Sequence, residues 1–315
     1  MWFKNLQLYR LPAPWDMTLP KLEETLTRFA FRPAGKTEFF SRGWIPPRGE
    51  GEMVAALERH WLIALGVEEK LLPASVVNLA TKERIAKLEN QLGYKPGRKQ
   101  AKEVKENVTQ ELLPRAFSRY RSTLGWIDPV NGWFVVDAAN AKKAEEMMEV
   151  LRWTLDDFPA VLLRTNLSAT AAMTQWLMEG EGPGGFSIDR DCELRSPLEE
   201  KALVRYQRHP LDSEEVRNHL KAGKQPTRLA LTWKDRVSFV LGERGEVKKL
   251  ELIDVGEADA ASETESAADR FDADFALMTG ELSRFLTDLV EALGGEAEKD
   301  AAAKPRPAGT FAAAA

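Results

Sequence analysis

Cysteine and histidine, the residues on which most metal and redox chemistry depends, are scarce in this sequence. The 315 residues include one cysteine, Cys192, and three histidines, His60, His209 and His219. One cysteine excludes an internal disulfide, disfavours a zinc site and fits a reducing cytoplasm. No two histidines stand four apart, so a helical zinc pair is excluded as well. His60, next to Trp61, reads as a partly buried structural histidine, and Cys192 as an inert thiol in a strand. No apolar run approaches the roughly 20 residues of a membrane-spanning helix. Met1-Trp2-Phe3-Lys4-Asn5-Leu6 lacks the layout of a signal peptide. A phosphate-binding G-x-x-x-x-G-K-[ST] loop is missing, and Gly93 to Lys99 fails its spacing. The glycines from 180 to 185 have no strong strand before them and no long helix after, and read as a linker. Neither a cofactor, a bound metal nor a membrane partner is expected.

What the sequence does have is separated charge. The chain totals −5, yet Thr81 to Arg121 holds 11 Lys and Arg against five acids, a net +6, which leaves −11 for the remainder. Residues 243 to 300 carry 17 acids and six bases, so that region should face away from a polyanion. Such a distribution suits a protein that presents one positive surface and keeps the rest soluble. An ordinary lysine-rich, solvated helix pair is the plainer alternative.

The periodicities predict an α+β protein. Trp2 to Leu11 alternates like a strand, and Leu19, Leu22, Leu26 and Phe29 mark a helix. Strands are expected at Phe39 to Ile45 and, briefly, at Trp61 to Val67. Val77, Thr81, Ile85, Leu88 and Leu92 then form a thin helical stripe. Gly93-Tyr94-Lys95-Pro96-Gly97 breaks it, and Ala101, Val104, Val108 and Leu112 form a second. Stripes this thin cover only each other. They predict an antiparallel helical hairpin that protrudes like a finger, each arm about 25 Å long at ~1.5 Å per residue. Asn131-Gly132 marks a reversal between two strands, and Asn140 can cap the helix carrying Ala144, Met147, Met148 and Leu151. A strand at Val161 to Leu163 and a helix from Thr170 to Met178 lead to the glycine linker. Further strands are expected at Cys192 to Leu194, Ala202 to Tyr206, Arg228 to Trp233, Val237 to Leu241 and Val247 to Ile253. Asp212 and Glu215 fit a capping box for the helix that ends near Ala222, and a long helix covers 267 to 293. The expected domains are a central one (1–73 plus 122–179), a helical tip (74–121), a C-terminal base (180–296) and a disordered tail (297–315).

Two groups of residues can carry chemistry. Arg115, Phe117, Arg119, Tyr120 and Arg121 alternate cations with aromatics, a mixture that suits phosphates and stacked surfaces. With Lys82, Lys95, Arg98, Lys99 and Lys102 they form the first candidate DNA surface. Arg205, Arg208, His209, Lys221, Lys224, Arg228, Lys234 and Arg236 could extend it into a long phosphate-reading footprint. Nothing resembles a helix aimed at base edges. Asp269, Asp272 and Asp274 form the one acidic cluster, compatible with a metal-dependent nuclease or with acids stabilising a helix start. A scaffold whose basic hairpin binds an acidic protein is a third reading.

Several blocks resemble the RdgC family of recombination-associated DNA-binding proteins of proteobacteria. They are Met1 to Leu6, Leu112-Leu113-Pro114-Arg115-Ala116-Phe117-Ser118-Arg119, Trp126-Ile127-Asp128, Ala141-Lys142-Lys143-Ala144-Glu145 and Arg270 to Leu282. The likeness covers roughly residues 1 to 296. It implies a homodimer closed into a ring, with double-stranded DNA, and secondarily single-stranded DNA, passing through a hole lined by basic side chains. It also implies binding without sequence preference, antagonism of the RecA recombinase by occupying its DNA, no catalytic role, and a place in the nucleoid. Phe117 falls on the family's gate phenylalanine. Arg208 and His209 fall on a Lys-Gln pair implicated in DNA binding or closure: Arg208 keeps the charge, whereas His209 departs. Leu11-Pro12-Ala13-Pro14-Trp15 and the Ala-rich tail look peculiar to this chain.

Overall fold

The computed structural model describes residues 2–197, 202–253 and 266–297; the expected tail from 298 onward lies outside them. In chain order the elements are β1 (Leu6–Arg10), α1 (Leu19–Arg28), β2 (Phe40–Ile45), β3 (Val54–Leu57), β4 (His60–Leu71), α2 (Ala74–Leu92), α3 (Arg98–Leu112), β5 (Phe117–Asp128), β6 (Trp133–Asp137), α4 (Ala141–Thr154), β7 (Val161–Leu162), α5 (Ala169–Glu179), β8 (Phe186–Arg195), β9 (Leu203–Tyr206), α6 (Glu214–Lys221), β10 (Gln225–Trp233), β11 (Val237–Gly242), β12 (Val247–Leu252) and α7 (Ala267–Ala292). This is a mixed α/β architecture built on one large antiparallel sheet, in the order β2-β4-β5-β6-β1-β12-β11-β10-β8-β9, with β3 on β4 and β7 on β1. No helix among the described residues is long and apolar enough to cross a membrane.

The two halves of the sheet meet where Leu6 of β1 pairs with Val247 of β12, beside a 2.9 Å bond from the Leu250 N–H to the Lys4 carbonyl. One core joins Leu6, Leu8, Leu62 and Trp126 to α5, α6 and α7 through Met173, Leu220, Met278 and Phe285. A second, on the opposite face of the N-terminal strands, packs Ile63, Leu65, Ile127 and Phe134 against α1 and α4 through Leu22, Leu26, Met147 and Leu151. Strands packed on both faces lose the alternation of a half-exposed sheet. β1 is accordingly shorter than its pattern predicts, and even Gln7 is buried.

Three other departures have local causes. β4 runs on to Leu71 because Glu68, only 2% exposed, accepts a 2.6 Å bond from the Ala34 N–H and lies opposite Tyr120 of β5. Hydrogen bonds from Ser118, Ala34 and Tyr120, with Lys70 nearby, hold its carboxyl below the usual range. β3, invisible to periodicity, pairs with β4 from Val54–Ile63 to Leu57–His60. The cap of α6 is Ser213, whose hydroxyl accepts from the Val216 N–H, and not Asp212.

Gly43 of β2 shows how closely the sheet edge is packed. A Cβ there would lie 2.4 Å from the Phe31 Cα, and the Phe31 N–H donates to the Trp44 carbonyl at 2.8 Å. Gly43→Ala is expected to destabilise the fold by about 1–3 kcal/mol, as overpacked sites do, read as a lower urea midpoint at unchanged slope.

Candidate nucleic-acid interface

The α2–α3 pair is an insertion between two bonded strands. β4 ends at Leu71, and the chain returns to begin β5 at Phe117, the residue paired with Leu71. α2 closes on Gly93 in the left-handed region (φ +74°), its N–H bonded to the Glu89 carbonyl. In α2 only Val77 and Thr81 are buried, and in α3 only Val108. Arg84 of α2 bonds Glu111 of α3 at 2.6 Å. The first turn of α3 holds no acid. Arg98 and Lys99 stand there instead, at the positive end of the helix dipole, where a cation is disfavoured and an anion favoured.

The expected DNA-contacting cations divide by partner. Lys82, Lys95, Arg98, Lys99, Arg115 and Arg208 are exposed and make no ion pair among the described residues. Lys102 meets Glu106 at 3.7 Å, Arg119 meets Glu69 at 2.6 Å, Arg121 meets Glu146 at 2.5 Å and Lys221 meets Glu214 at 3.4 Å. Lys224 Nζ lies 2.9 Å from His219 Nδ1. Phe117, Arg119 and Arg121 share one face of β5, and Phe117 is 85% exposed. Its strand partner Leu71 is exposed as well, as are Val76 and Leu79 in the first turns of α2.

In the C-terminal half, register gathers arginines that spacing alone could not. Glu193 of β8 lies opposite Arg205 of β9 and Arg228 of β10. Its carboxylate accepts from Arg205 at 2.8 Å and from the Thr227 hydroxyl at 2.9 Å, and Arg195 lies 3.6 Å away. Burial pushes the Glu193 carboxyl up, but the bonds from Arg205 and Thr227 and the nearby Arg228 outweigh it and leave it below the usual range. Neither Glu193 nor Arg195 stands out in the sequence. The available signal is one acid between two core residues, Cys192 and Leu194. Lys234 and Arg236 instead pair with α7, through Asp288 at 2.8 Å and Glu281 at 2.9 Å, so they do not extend the arginine group as expected.

The remaining candidates each have partners within the fold. Cys192 is 3% exposed, and burial, aided by Glu193, pushes its thiol up to about 12. His60 is buried, which lowers its basicity, and its Nδ1 accepts from the Trp126 indole N–H at 3.2 Å. Asp269 caps α7 reciprocally with Ser266, and Asp272 pairs with Arg48. No three His, Cys, Asp or Glu side chains among the described residues gather as metal ligands.

Residues 1–296 match the family described as "Putative exonuclease, RdgC". The chain belongs to the RdgC family. The recombination-associated protein RdgC of Dechloromonas aromatica is 58% identical over 299 residues, covering 94% of this chain and 98% of that protein. Its counterpart from a Janthinobacterium species is 52% identical over 299 residues, at 95% and 100% coverage. The Cupriavidus necator protein is 51% identical over 296 residues, at 94% and 99% coverage. The RdgC match spans the helix pair and every strand of the sheet.

Phe117→Ala should leave the melting temperature unchanged, because the aromatic side chain is exposed. Leu113→Ala, a fully buried neighbour, should cost about 2–5 kcal/mol. Equal destabilisation of the two variants in thermal unfolding would place Phe117 in the core. Cys192 should resist a thiol reagent in the native protein and react fully in denaturant.

Proposed function

We propose that this RdgC-family protein binds double-stranded DNA without sequence preference, as a homodimer closed into a ring around the duplex, and thereby limits the access of RecA to DNA. The observation that carries this reading is the unpaired positive charge on the α2–α3 pair: Lys82, Lys95, Arg98 and Lys99, with Arg98 and Lys99 at a helix N-terminus that has no acid in its first turn. In this reading residues 74–121 form a protruding tip, 1–73 with 122–179 a central domain, and 180–296 a base. The tip places Phe117 at a gate between subunits, and the Arg195–Arg205–Arg228 group, with Arg208, Lys221 and Lys224, supplies contacts from the base. A ring reconciles binding with a net charge of −5, because the hole attracts what the outside repels, and topology holds the duplex without base-edge contacts. A single strand can enter the same hole, and residence in the nucleoid follows from such binding.

Fluorescence anisotropy on two unrelated duplexes across a salt series tests this. Both should give one steep slope of log K against log salt, at about −0.9 per neutralised phosphate. Absence of binding at low salt would return the helix pair to a solvated surface or a docking site for an acidic protein. Arg98→Glu/Lys99→Glu should weaken duplex binding while stabilising the fold slightly, by roughly 0.3–1 kcal/mol per charge placed at the favourable end of the dipole.

The words "putative exonuclease" in the family description keep a nuclease as the second reading. Incubation of end-labelled duplex with Mg²⁺ or Mn²⁺ decides it. Shortened products, abolished by Asp272→Asn and Asp274→Asn together, would overturn a purely binding role.

A further inference from the structure

A groove of about 940 Å³ runs between α4 and the outer ends of β2, β4 and β5, within the roughly 300–1,000 Å³ typical of small-ligand sites. We infer that this groove takes an unpaired nucleotide of single-stranded DNA, its base against Phe40 and its phosphate between Lys142, Lys143 and Arg121. The inference rests on the DNA-binding reading above but concerns a surface distinct from the unpaired cations of the helix pair.

Three observations support it. Phe40, at the start of the terminal strand of the sheet, and Phe39 just before it are 54% and 46% exposed, where large exposed apolar side chains are a liability. The Arg42 guanidinium stands 5.2 Å from the Phe40 ring centre, and rings beside guanidiniums are the usual platform for unstacked bases. Lys142 and Lys143 occupy the first turn of α4, which holds no acid, and make no ion pair among the described residues, so two free cations coincide with the positive end of a helix. Finally, Arg121 commits one amino group to Glu146, while its Nη1 is buried with no hydrogen-bond acceptor. A donor left without an acceptor is unfavourable, so a shift of the guanidinium that offered it to a phosphate oxygen would be favoured.

The balance of charge limits the ligand. Arg42, Arg119 and Arg121 are already matched by Glu149, Glu69 and Glu146, and Lys70 lies 3.7 Å from Glu68. The free charge is the lysine pair, offset in part by Glu145, which suits one or two phosphates rather than the phosphate row of a duplex.

Anisotropy of full-length protein with labelled oligo(dT) and with a duplex, on wild type, Phe40→Ala and Lys142→Glu/Lys143→Glu, tests this. Phe40→Ala should weaken oligo(dT) binding about fivefold or more, the low end of a base–aromatic stack. The double lysine variant should flatten the oligo(dT) salt slope by roughly 0.7 for each phosphate it no longer neutralises. Duplex binding should not change in either. The lysine variant places acids where the dipole favours them, so weaker binding cannot be ascribed to a weakened helix. Unchanged oligo(dT) binding in both variants, or equal weakening for both DNAs, overturns the groove assignment alone. Absence of all DNA binding by wild type overturns the DNA reading, and the groove with it.

Discussion

Everything distinctive about this molecule depends on the ladder between β4 and β5. It runs from Trp61–Ile127 to Leu71–Phe117. At its inner end Leu62, Ile63, Trp126 and Ile127 are completely buried between the two cores. At its outer end the same pairing emerges into solvent, where Glu69 and Arg119 form a cross-strand ion pair and Phe117 stands exposed. The ladder also closes the insertion that holds α2 and α3, because the chain leaves at Leu71 and returns to its direct partner. The entropy of closing that loop is met by strand pairing and the buried end of the ladder. The helices themselves therefore need little core, and they have little.

This arrangement frees the insertion to carry charge that a packed helix could not. On the sheet, arginines are matched by acids: Arg119 by Glu69, Arg121 by Glu146, Arg42 by Glu149, Arg205 by Glu193. The exposed pairs among these contribute little stability, but all of them decide which cations are left for a ligand. The helix starts differ in the same way. α6 begins with Glu214 and Glu215, and α7 has Asp269 in its first turn, the arrangement the dipole favours. α3 and α4 begin with Arg98-Lys99 and with Lys142-Lys143, the opposite arrangement. The two inverted helices adjoin β5, one through its chain connection and the other through the Arg121–Glu146 pair.

Helices are the legible part of this sequence. The single stripes of α2 and α3, the Gly93 and Gly97 punctuation and the Asn140 cap are local signals, and each element forms where they lie. The strands are most legible where one face meets water. β10, β11 and β12 alternate, and their pattern locates them closely. β1 is buried on both faces, and the alternation of Trp2 to Leu11 locates it but overstates its length. β4 hides its outer third because Glu68 is a charged residue made internal by partners 34 and 52 positions away, Ala34 and Tyr120. The same limit governs the candidate site. Exposure and charge identify Lys95, Arg98, Lys99 and Phe117, which lie on one continuous segment. The Glu193 group needs the registers of two strand pairs, and nothing in the spacing of Lys234 and Arg236 reveals that α7 would claim them.

The arginines around Glu193 differ physically from the lysines of the helix pair, and the difference bears on how a sequence-blind surface would work. Lys95 between the helices and Lys99 at the start of α3 are exposed point charges on flexible side chains, suited to attracting a polyanion at a distance but committing no geometry. Arg205 is held by a buried carboxylate that is itself fixed by Thr227, Arg195 pairs with the same acid, and Arg228 is its cross-strand neighbour, so two guanidiniums share one acid beside a third. Each guanidinium has five donors, and the acid uses few of them. Donors fixed in place lose less freedom when a phosphate binds, so this group would give position where the lysines give attraction. The dependence runs through Glu193: its carboxyl lies below the usual range because of the arginines, and as pH falls through that lowered value the proton that binds there removes the attraction ordering them. Position on a duplex would then be the first property to weaken in acid, while attraction by the always-charged lysines and arginines of the helix pair persists.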